Sequence, residues 1–557
     1  MAESKNALFY VLCRTEHLYC RFSEIFHDKL VVSAPIIQHP EKPDEPAYKV
    51  TILQPAPKPL PTSAFTSAVN TPSASKFGTP RSEPTPAERY LTVSEVNTIF
   101  IKSLVQSAEG FLGKKVEGVV ITIPTWFEEV QREALVKAAE DAGVKVLQLI
   151  DDIAAAALQS TATPAFPDLK QDRTQLVVDI GSSSLALSIL SIRHGLIHSL
   201  ASSSDPTIGA DLIDDKLIKF FAKDFTKKTK VPLSLPVTTT SSAADKRAEA
   251  KLRLAIEHTK RTISASPGAA TCSVESLKEG YDLSGTINRM RFDMEAREVY
   301  TKIADSAKKL VADAGLDLYD IDEIVYTGGT GCLPGLDEAV LGAGFNEETV
   351  ITPFSAGTAV GGGASDPTTI LAKGAVLQAK LLSEIAGDQD LLPAFGTETE
   401  LTKVKSTSKT LGLIFPEESA EEGGLGGQWI PVILKETALP ARRMYTFDVD
   451  LGQSNSEKVG FEVWEAKESI KVELIKAPPL EGEDEEEEPE ESEEKEKLIE
   501  KDGAALTSII VPVKNGKKEK GRWKTKLGVQ ALVDESGKVE ITAWEVDGGE
   551  KVQKVIR

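Results

Sequence analysis

LVVDIGSSSLALSIL, residues 176–190, decides the fold. An apolar strand (Leu176, Val177, Val178) runs into Asp179, a small-residue turn follows from Gly181 to Ser184, and a second apolar strand leads to Leu190. Gly181 carries no β-carbon, so another chemical group can approach its backbone closely. Consecutive turn N–H groups can cradle anionic oxygens, and a carboxylate at a strand end can hold a hydrated cation. The pattern predicts a strand–turn–strand phosphate grip, although an ordinary hairpin with small turn residues carries the same letters.

Upstream, Val93 to Leu112 has helical spacing, with Val96, Ile99, Phe100, Leu104, Ala108 and Phe111 on one expected stripe. Val119 to Ile123 reads as a buried strand, Glu128 to Ala142 as an amphipathic helix with Gly143 at its C′ position, and Val144 to Ile150 as another strand. Strand, helix, strand over this distance is a parallel crossover, which makes the class α/β. Asp151 and Asp152 close that strand before the alanine-rich run Ala154 to Ala157. Downstream, helices are expected from Ala210 to Lys223 and from Asp245 to Ser264. In the second, Lys260 and Arg261 are expected to face outward. A strand from Ile324 to Tyr326 leads into Gly328, Gly329, Thr330 and Gly331.

After Leu382 the pattern changes to short β-type runs: Thr410 to Phe415, Trp429 to Leu434, Met444 to Val449, Gly460 to Trp464, Ser469 to Leu474, Ser508 to Val513, Arg522 to Val533 and Lys538 to Trp544. They predict a separate all-β module. Residues 1–90, rich in Pro, Ser, Thr and Ala between Pro55 and Pro86, predict an irregular segment. The expected division is therefore 1–90 irregular, 91–382 nucleotide domain, 383–408 linker, and 409–557 β module.

The chain of 557 residues carries a net charge of −21, but 13 acids and 2 lysines between Glu481 and Glu500 supply about half of the excess. The remainder is only mildly acidic, which argues against a general nucleic-acid binder. That acidic tract predicts a disordered loop. KNGKKEKGRWKTK, Lys514 to Lys526, holds seven basic residues and predicts a hairpin turning at Asn515-Gly516. Cys13, Cys20, Cys272 and Cys332 show no metal-ligand spacing, and Cys13 and Cys20 near His17 and His27 read as packing. Few cysteines and no apolar run long enough to span a bilayer predict a cytoplasmic protein without a membrane partner. GTAVGGGAS, Gly357 to Ser365, lacks the Gly-Lys-Ser/Thr of a P-loop and reads as a flexible loop.

Five stretches in order resemble the seventy-kilodalton heat-shock (Hsp70, DnaK-type) branch of the actin-like ATPases. VVITIPTWFEEVQREALVKAAEDAGVKVLQLIDDIAAAALQ (119–159) resembles the family's first crossover, and VVDIGSSSLALSIL its second phosphate loop. EHTKRTIS (257–264) resembles its adenine-clamping helix, IVYTGGTGCLP its adenosine loop, and LAKGAVLQA (371–379) the helix closing the nucleotide domain. The resemblance implies a two-lobed α/β actin-like ATPase domain followed by a small β-sandwich without a helical lid. It implies ATP and magnesium as cofactors. Glu257, Lys260, Arg261 and Ser264 would grip base and ribose, although a solvated helix face is the plainer reading of Lys260. Gly328, Gly329 and Thr330 would lie along the nucleotide. Gly181, Ser182, Ser183, Ser184 and Gly209 would serve its phosphates, and Asp179 would hold magnesium through water.

The departures from the family pattern shape the expected function. The catalytic glutamate is Asp152, the loop threonine is Ser184, the loop's second aspartate is Ala186, and the adenosine-loop arginine is Cys332. Losing a positioned carboxylate forfeits transition-state stabilisation while sparing ground-state binding, so nucleotide binding with little or no hydrolysis is expected. The family's first Gly-rich hairpin and its lysine have no counterpart here. VVSAPIIQHPEKPDEPAYKV (31–50) resembles a segment lying after both, so an incomplete first lobe is expected. DQDLLPAF (388–395) resembles the linker, with Pro393 removing a ladder donor. Within the family, a defective ATPase with a lidless β module resembles the atypical subunit of the fungal ribosome-associated complex. That implies a zuotin-like J-domain protein, the ribosome, a conventional Hsp70 and nascent chains as partners, with β-augmentation as a mode of contact. An active peptide-binding foldase and a nucleotide-exchange factor are the alternatives.

Overall fold

The computed structural model describes residues 7–11, 36–43, 45–54, 85–164, 169–238, 240–266, 268–346, 348–357, 363–386, 404–416, 425, 427–452, 456–476, 491–519 and 521–556. The readings that concern Cys13, Cys20, His17, His27, the 388–395 linker, residues 481–490 and most of GTAVGGGAS lie outside them. The chain divides into two compact units, each assembled from three separate segments. The first is Met1–Asp151, Asp214–Phe292 and Ala375–Ala394; the second is Asp152–Ile213, Asp293–Gly374 and Phe395–Arg557.

In the first unit a three-stranded parallel sheet runs in the order Ala7–Val11, Val116–Ile123, Val146–Asp151. Helices Val93–Leu112 and Glu129–Asp141 cover it. Ile101, Val119, Ile121, Ile123, Leu135 and Ala138 make its dry core, and each buried Val, Leu or Ile side chain contributes roughly 1.5–3 kcal/mol. Thr92 begins the first helix with a reciprocal cap. Its hydroxyl accepts the Glu95 N–H at 3.2 Å while the Glu95 carboxylate accepts the Thr92 N–H at 2.8 Å. Gly113, at φ 64°, ends that helix in the left-handed conformation that glycine adopts without strain. Gly143 closes the second helix as expected. It lies at φ 87°, its N–H donates to Glu140 O at 2.9 Å, and Val144 N–H donates to Ala139 O at 3.1 Å.

Two expectations are corrected here. The buried stripe of Val93–Leu112 is Asn97, Ile101, Val105 and Ala108, while Ile99, Phe100 and Phe111 are exposed. This helix is apolar on two sides, so periodicity alone could not choose which side meets the sheet. The first 90 residues are not uniformly irregular: Ile36–Gln38, Pro46–Gln54 and Thr85–Thr92 form an antiparallel sheet. Their alternation is short, and the 30 residues of prolines and small side chains between the last two obscured the pairing.

The second unit holds a four-stranded sheet in the order Glu323–Thr327, Arg173–Ile180, Leu185–Arg193, Leu196–Asp205. The first pair is parallel and the rest are antiparallel. Arg173 and Glu323 lie at its foot, 4% and 2% exposed, paired at 2.6 Å, with Gln175 also donating to the Glu323 carboxylate at 2.7 Å.

The same unit contains the β module, two antiparallel sheets enclosing Leu413, Val463, Phe461, Ile509, Leu527, Val529 and Ile541. Among the described residues after 404, every regular element is a strand. The acidic tract was expected to be a loop, yet its second half forms the strand Glu491–Lys501, paired along Lys458–Lys476. The backbone register sets Lys467 opposite Glu500 and Lys471 opposite Glu496, so the run pairs along a strand instead of standing alone in solvent. The basic hairpin also turns elsewhere. Lys517–Glu519 pairs with Arg522–Val533, and Gly521, at φ 87°, takes the turn. The buried Glu545 carboxylate captures the Lys514 and Asn515 N–H groups at 2.9 Å each, which removes Asn515 from the turn.

Candidate functional site

The Gly-Ser-Ser-Ser turn is a tight hairpin loop in the second unit. Ile180 faces Leu185 across the ladder, and Gly181 N–H donates to Ser184 O at 3.0 Å, leaving Ser182 and Ser183 at the tip. Helix Ala210–Thr229 docks its first turn on this loop: Ala210 N–H donates to Gly181 O at 3.1 Å and Asp211 N–H to Ser182 O at 2.8 Å. The close approach requires Gly209. A β-carbon there would lie 2.6 Å from Ser182 C and 2.7 Å from Ser183 N. Thr330, buried, donates its hydroxyl to Gly181 O at 3.4 Å.

Gly181 behaves differently. Its backbone is not left-handed, and an added β-carbon would meet nothing closer than Ser184 O at 3.6 Å. Neither conformation nor protein packing demands glycine, and its effect is to leave one side of the turn open. Ser182 Oγ is buried, with no hydrogen-bond partner among the described residues. An orphaned hydroxyl and an open glycine on one turn fit an anionic group such as a phosphate.

Asp179 sits in a cross-sheet row. The parallel register places Thr327 beside it on one side, and the antiparallel register places Ala186 opposite it on the other. Thr327 donates its hydroxyl to the Asp179 carboxylate. Burial pushes the Asp179 carboxyl above the ordinary range, and the Thr327 bond opposes that rise. Ala186 is only 7% exposed and brings no polar atom to the row. Among the described residues, no three His, Cys, Asp or Glu side chains cluster as direct metal ligands. A lone carboxylate of this kind fits a cation held through water.

The adenosine-type loop follows strand Glu323–Thr327. Gly328, at φ 84°, lies against the Ile180 carbonyl, whose carbon would be 3.1 Å from an added β-carbon. At Gly329 nothing lies within 4 Å of such an atom, so that face is open. Cys332 is half-buried and its thiol is pushed up to about 11, by burial first and then by Asp366. Asp152, the first residue of helix Asp152–Ala162, is buried.

Glu257, Lys260, Arg261 and Ser264 lie together on helix Ala243–Ala265 in the first unit. The outward placement of Lys260, and its reading as a solvated face, are corrected. Its side chain is 13% exposed and its ammonium contacts Asp214 at 2.9 Å and Glu257 at 3.0 Å. Burial disfavours that charge, but Asp214 and then Glu257 outweigh it and hold its pKa above the ordinary lysine value. Arg261 is the exposed member, donating to Glu257 at 3.1 Å, and Ser264 donates to the Arg261 carbonyl at 2.9 Å. Sequence reasoning missed Thr327 and Asp214. Thr327 had a usable signal, as the polar residue ending a strand just before Gly328. Asp214 had none, because it reaches Lys260 from a helix far away in the chain.

A parallel crossover in one unit and an Asp-ended hairpin with an open turn in the other fit an α/β, ATPase-like fold. Residues 73–404 match the Hsp70 protein family, and the chain belongs to that family. A heat shock protein 70 homolog of Schizosaccharomyces pombe is 32% identical over 402 residues, covering 72% of this chain and 65% of that protein. The ribosome-associated complex subunit SSZ1 of Saccharomyces cerevisiae is 30% identical over 359 residues, covering 64% of this chain and 61% of that protein. A heat shock 70 kDa protein of Emericella nidulans is 28% identical, covering 70% of this chain and 55% of that protein. The chain therefore spans less than two thirds of the length of each of these relatives.

Proposed function

We propose that this chain is a non-hydrolysing Hsp70-family chaperone subunit that pairs with a zuotin-like J-domain protein at the ribosome and assists nascent-chain folding. The observation that carries the reading is Ala186, set directly opposite Asp179 in the hairpin ladder where a second carboxylate would face the same cation. Asp152, one methylene shorter than glutamate, sets the remaining carboxylate about 1.5 Å further back. Phosphoryl transfer to water rests on positioning and charge stabilisation, so these losses act on the transition state more than on binding.

ATP with magnesium would bring polyphosphate charge and a divalent cation to this site. Gly181, Ser182, Ser183 and Ser184 would hold its phosphates, with Gly209 supporting the turn, and Asp179 would hold the cation through water. Gly328, Gly329 and Thr330 would lie along the nucleotide; Glu257, Lys260, Arg261 and Ser264 are the positions at which the family resemblance would set base and ribose. The likeness to a ribosome-associated complex subunit supports an association with the ribosome; the J-domain partner, a conventional Hsp70 downstream and a cytoplasmic location complete the proposed role. Among the described residues, no helix is long and apolar enough to cross a membrane.

The test is single-turnover ATP hydrolysis by the full chain, with and without a J-domain protein, beside an equilibrium ATP-binding measurement. The expected result is binding with background hydrolysis in both arms. Robust, J-protein-stimulated hydrolysis overturns the reading in favour of an active foldase. Accelerated ADP release from a conventional Hsp70 points instead to an exchange factor.

A further inference from the structure

A groove in the first unit lies outside the nucleotide-type loops. From Lys216 to Lys230 the chain reads KLIKFFAKDFTKKTK, six lysines against one aspartate in a protein of net charge −21. Helix Ala210–Thr229 carries Lys219, Lys223 and Lys227 at successive i+4 positions. Such residues stack on one face, about 6 Å apart along the axis. All three are exposed, and no carboxylate among the described residues pairs with them. Asp224, the acid within this stretch, is taken by Lys228 at 2.7 Å.

Beside this row the chain after the helix folds back to form a wall. Leu233, Leu235 and Pro236 face the lysines across a groove of about 580 Å³. The wall is fastened at several points. Leu233 N–H donates to Thr226 Oγ1 at 3.3 Å, the Lys278 ammonium donates to Pro232 O at 2.6 Å, and Val237 N–H donates to the buried Glu249 carboxylate at 2.5 Å. A preformed groove loses little entropy on filling. Its size is that of an ordinary ligand site.

We propose that this groove docks an acidic polypeptide segment that carries aliphatic side chains between its carboxylates. Three uncompensated ammonium groups select negative charge, and the aliphatic wall selects apolar side chains beside it. The lining holds no aromatic ring on which nucleic-acid bases could stack, which favours a polypeptide over RNA. The inference rests only on this groove and does not depend on nucleotide binding.

Fluorescence anisotropy on the full chain tests it, using a labelled peptide of about twelve residues built from Glu-Glu-Leu repeats, its Gln-Gln-Leu counterpart, and a uridine-rich RNA strand. The Glu-Leu peptide is expected to bind at least about tenfold more tightly than the Gln-Leu peptide, and added salt should weaken it. The triple variant Lys219→Gln/Lys223→Gln/Lys227→Gln should lose about tenfold or more, with an unchanged circular dichroism spectrum because these side chains are exposed. Leu235→Asp should weaken binding independently; if it misfolds, the triple variant decides alone. Equal binding of the two peptides, no binding of either, or no effect of the triple variant overturns the proposal. So does RNA that binds more tightly than the acidic peptide and loses affinity in the same variant.

Discussion

Replacing Gly209 by alanine probes whether the phosphate turn is held from the helix side. The new methyl group would stand 2.6 Å from Ser182 C and 2.7 Å from Ser183 N, both backbone atoms that cannot rotate away. Non-bonded carbon contacts settle near 3.5–4.0 Å, so the turn must retreat by about 1 Å. That retreat stretches the 2.8 Å bond from Asp211 N–H to Ser182 O and the 3.1 Å bond from Ala210 N–H to Gly181 O. Overpacking costs about 1–3 kcal/mol and a weakened hydrogen bond about 0.5–1.5 kcal/mol, giving about 2–4 kcal/mol in local stability. Native-state hydrogen exchange at the Gly181 amide, bonded to Ser184 O at 3.0 Å, is the direct readout. At 1.4 kcal/mol per decade, protection should fall by roughly thirtyfold to several hundredfold, and ATP affinity should fall with it. Gly181→Ala is the contrast. Its methyl group would meet ordinary contacts at 3.6 Å, so protection should hold while ATP affinity falls. Unchanged protection in Gly209→Ala would refute the docking argument. Unchanged ATP affinity in Gly181→Ala would refute the open face of the turn.

Ala186→Asp, which adds a carboxylate, combined with Asp152→Glu, which lengthens one, should raise single-turnover hydrolysis by up to roughly a hundredfold; no increase would mean that neither the acid absent at 186 nor the shorter reach at 152 limits the reaction. Lys260 gives a pH prediction. Its folded pKa lies above the ordinary 10.5, so its contribution to stability is complete below that value and is lost as pH climbs through the raised one. Urea unfolding of the native chain and of Lys260→Met should therefore differ most near neutral pH and converge in strong alkali, and a constant difference across that range would contradict the pairing with Asp214. Glu545→Ala leaves the Lys514 and Asn515 N–H groups and the Thr525 hydroxyl without their buried acceptor, costing about 3 kcal/mol or more. Tryptophan-detected urea unfolding should register that loss, with Glu545→Gln recovering part of it.

The crossover from Val116 to Asp151 and the hairpin from Arg173 to Arg193 were legible because each is a local pattern. Buried runs end at turn or cap residues, and both the strand pairing at Asp179 and the stop at Gly143 are decided within a few residues of chain. The glycines and serines of the turn were likewise identifiable by residue type and order alone. Their division of labour was not. Gly209 and Gly181 look equivalent in sequence, yet one admits a helix to the turn and the other leaves a face open.

Charge was the least legible property. The run from Glu491 reads as a solvated loop until Lys467 and Lys471 are set across from it. Lys260 reads as outward until Asp214 covers it, and Asn515 reads as a turn residue until Glu545 takes its N–H. Each of these outcomes depends on a partner at least 25 residues away. A side chain's helical or strand period is set by its own backbone, so the sequence carries it. Whether a charge meets water or a counter-charge is set by which distant segment packs against it, and only the tertiary structure decides that.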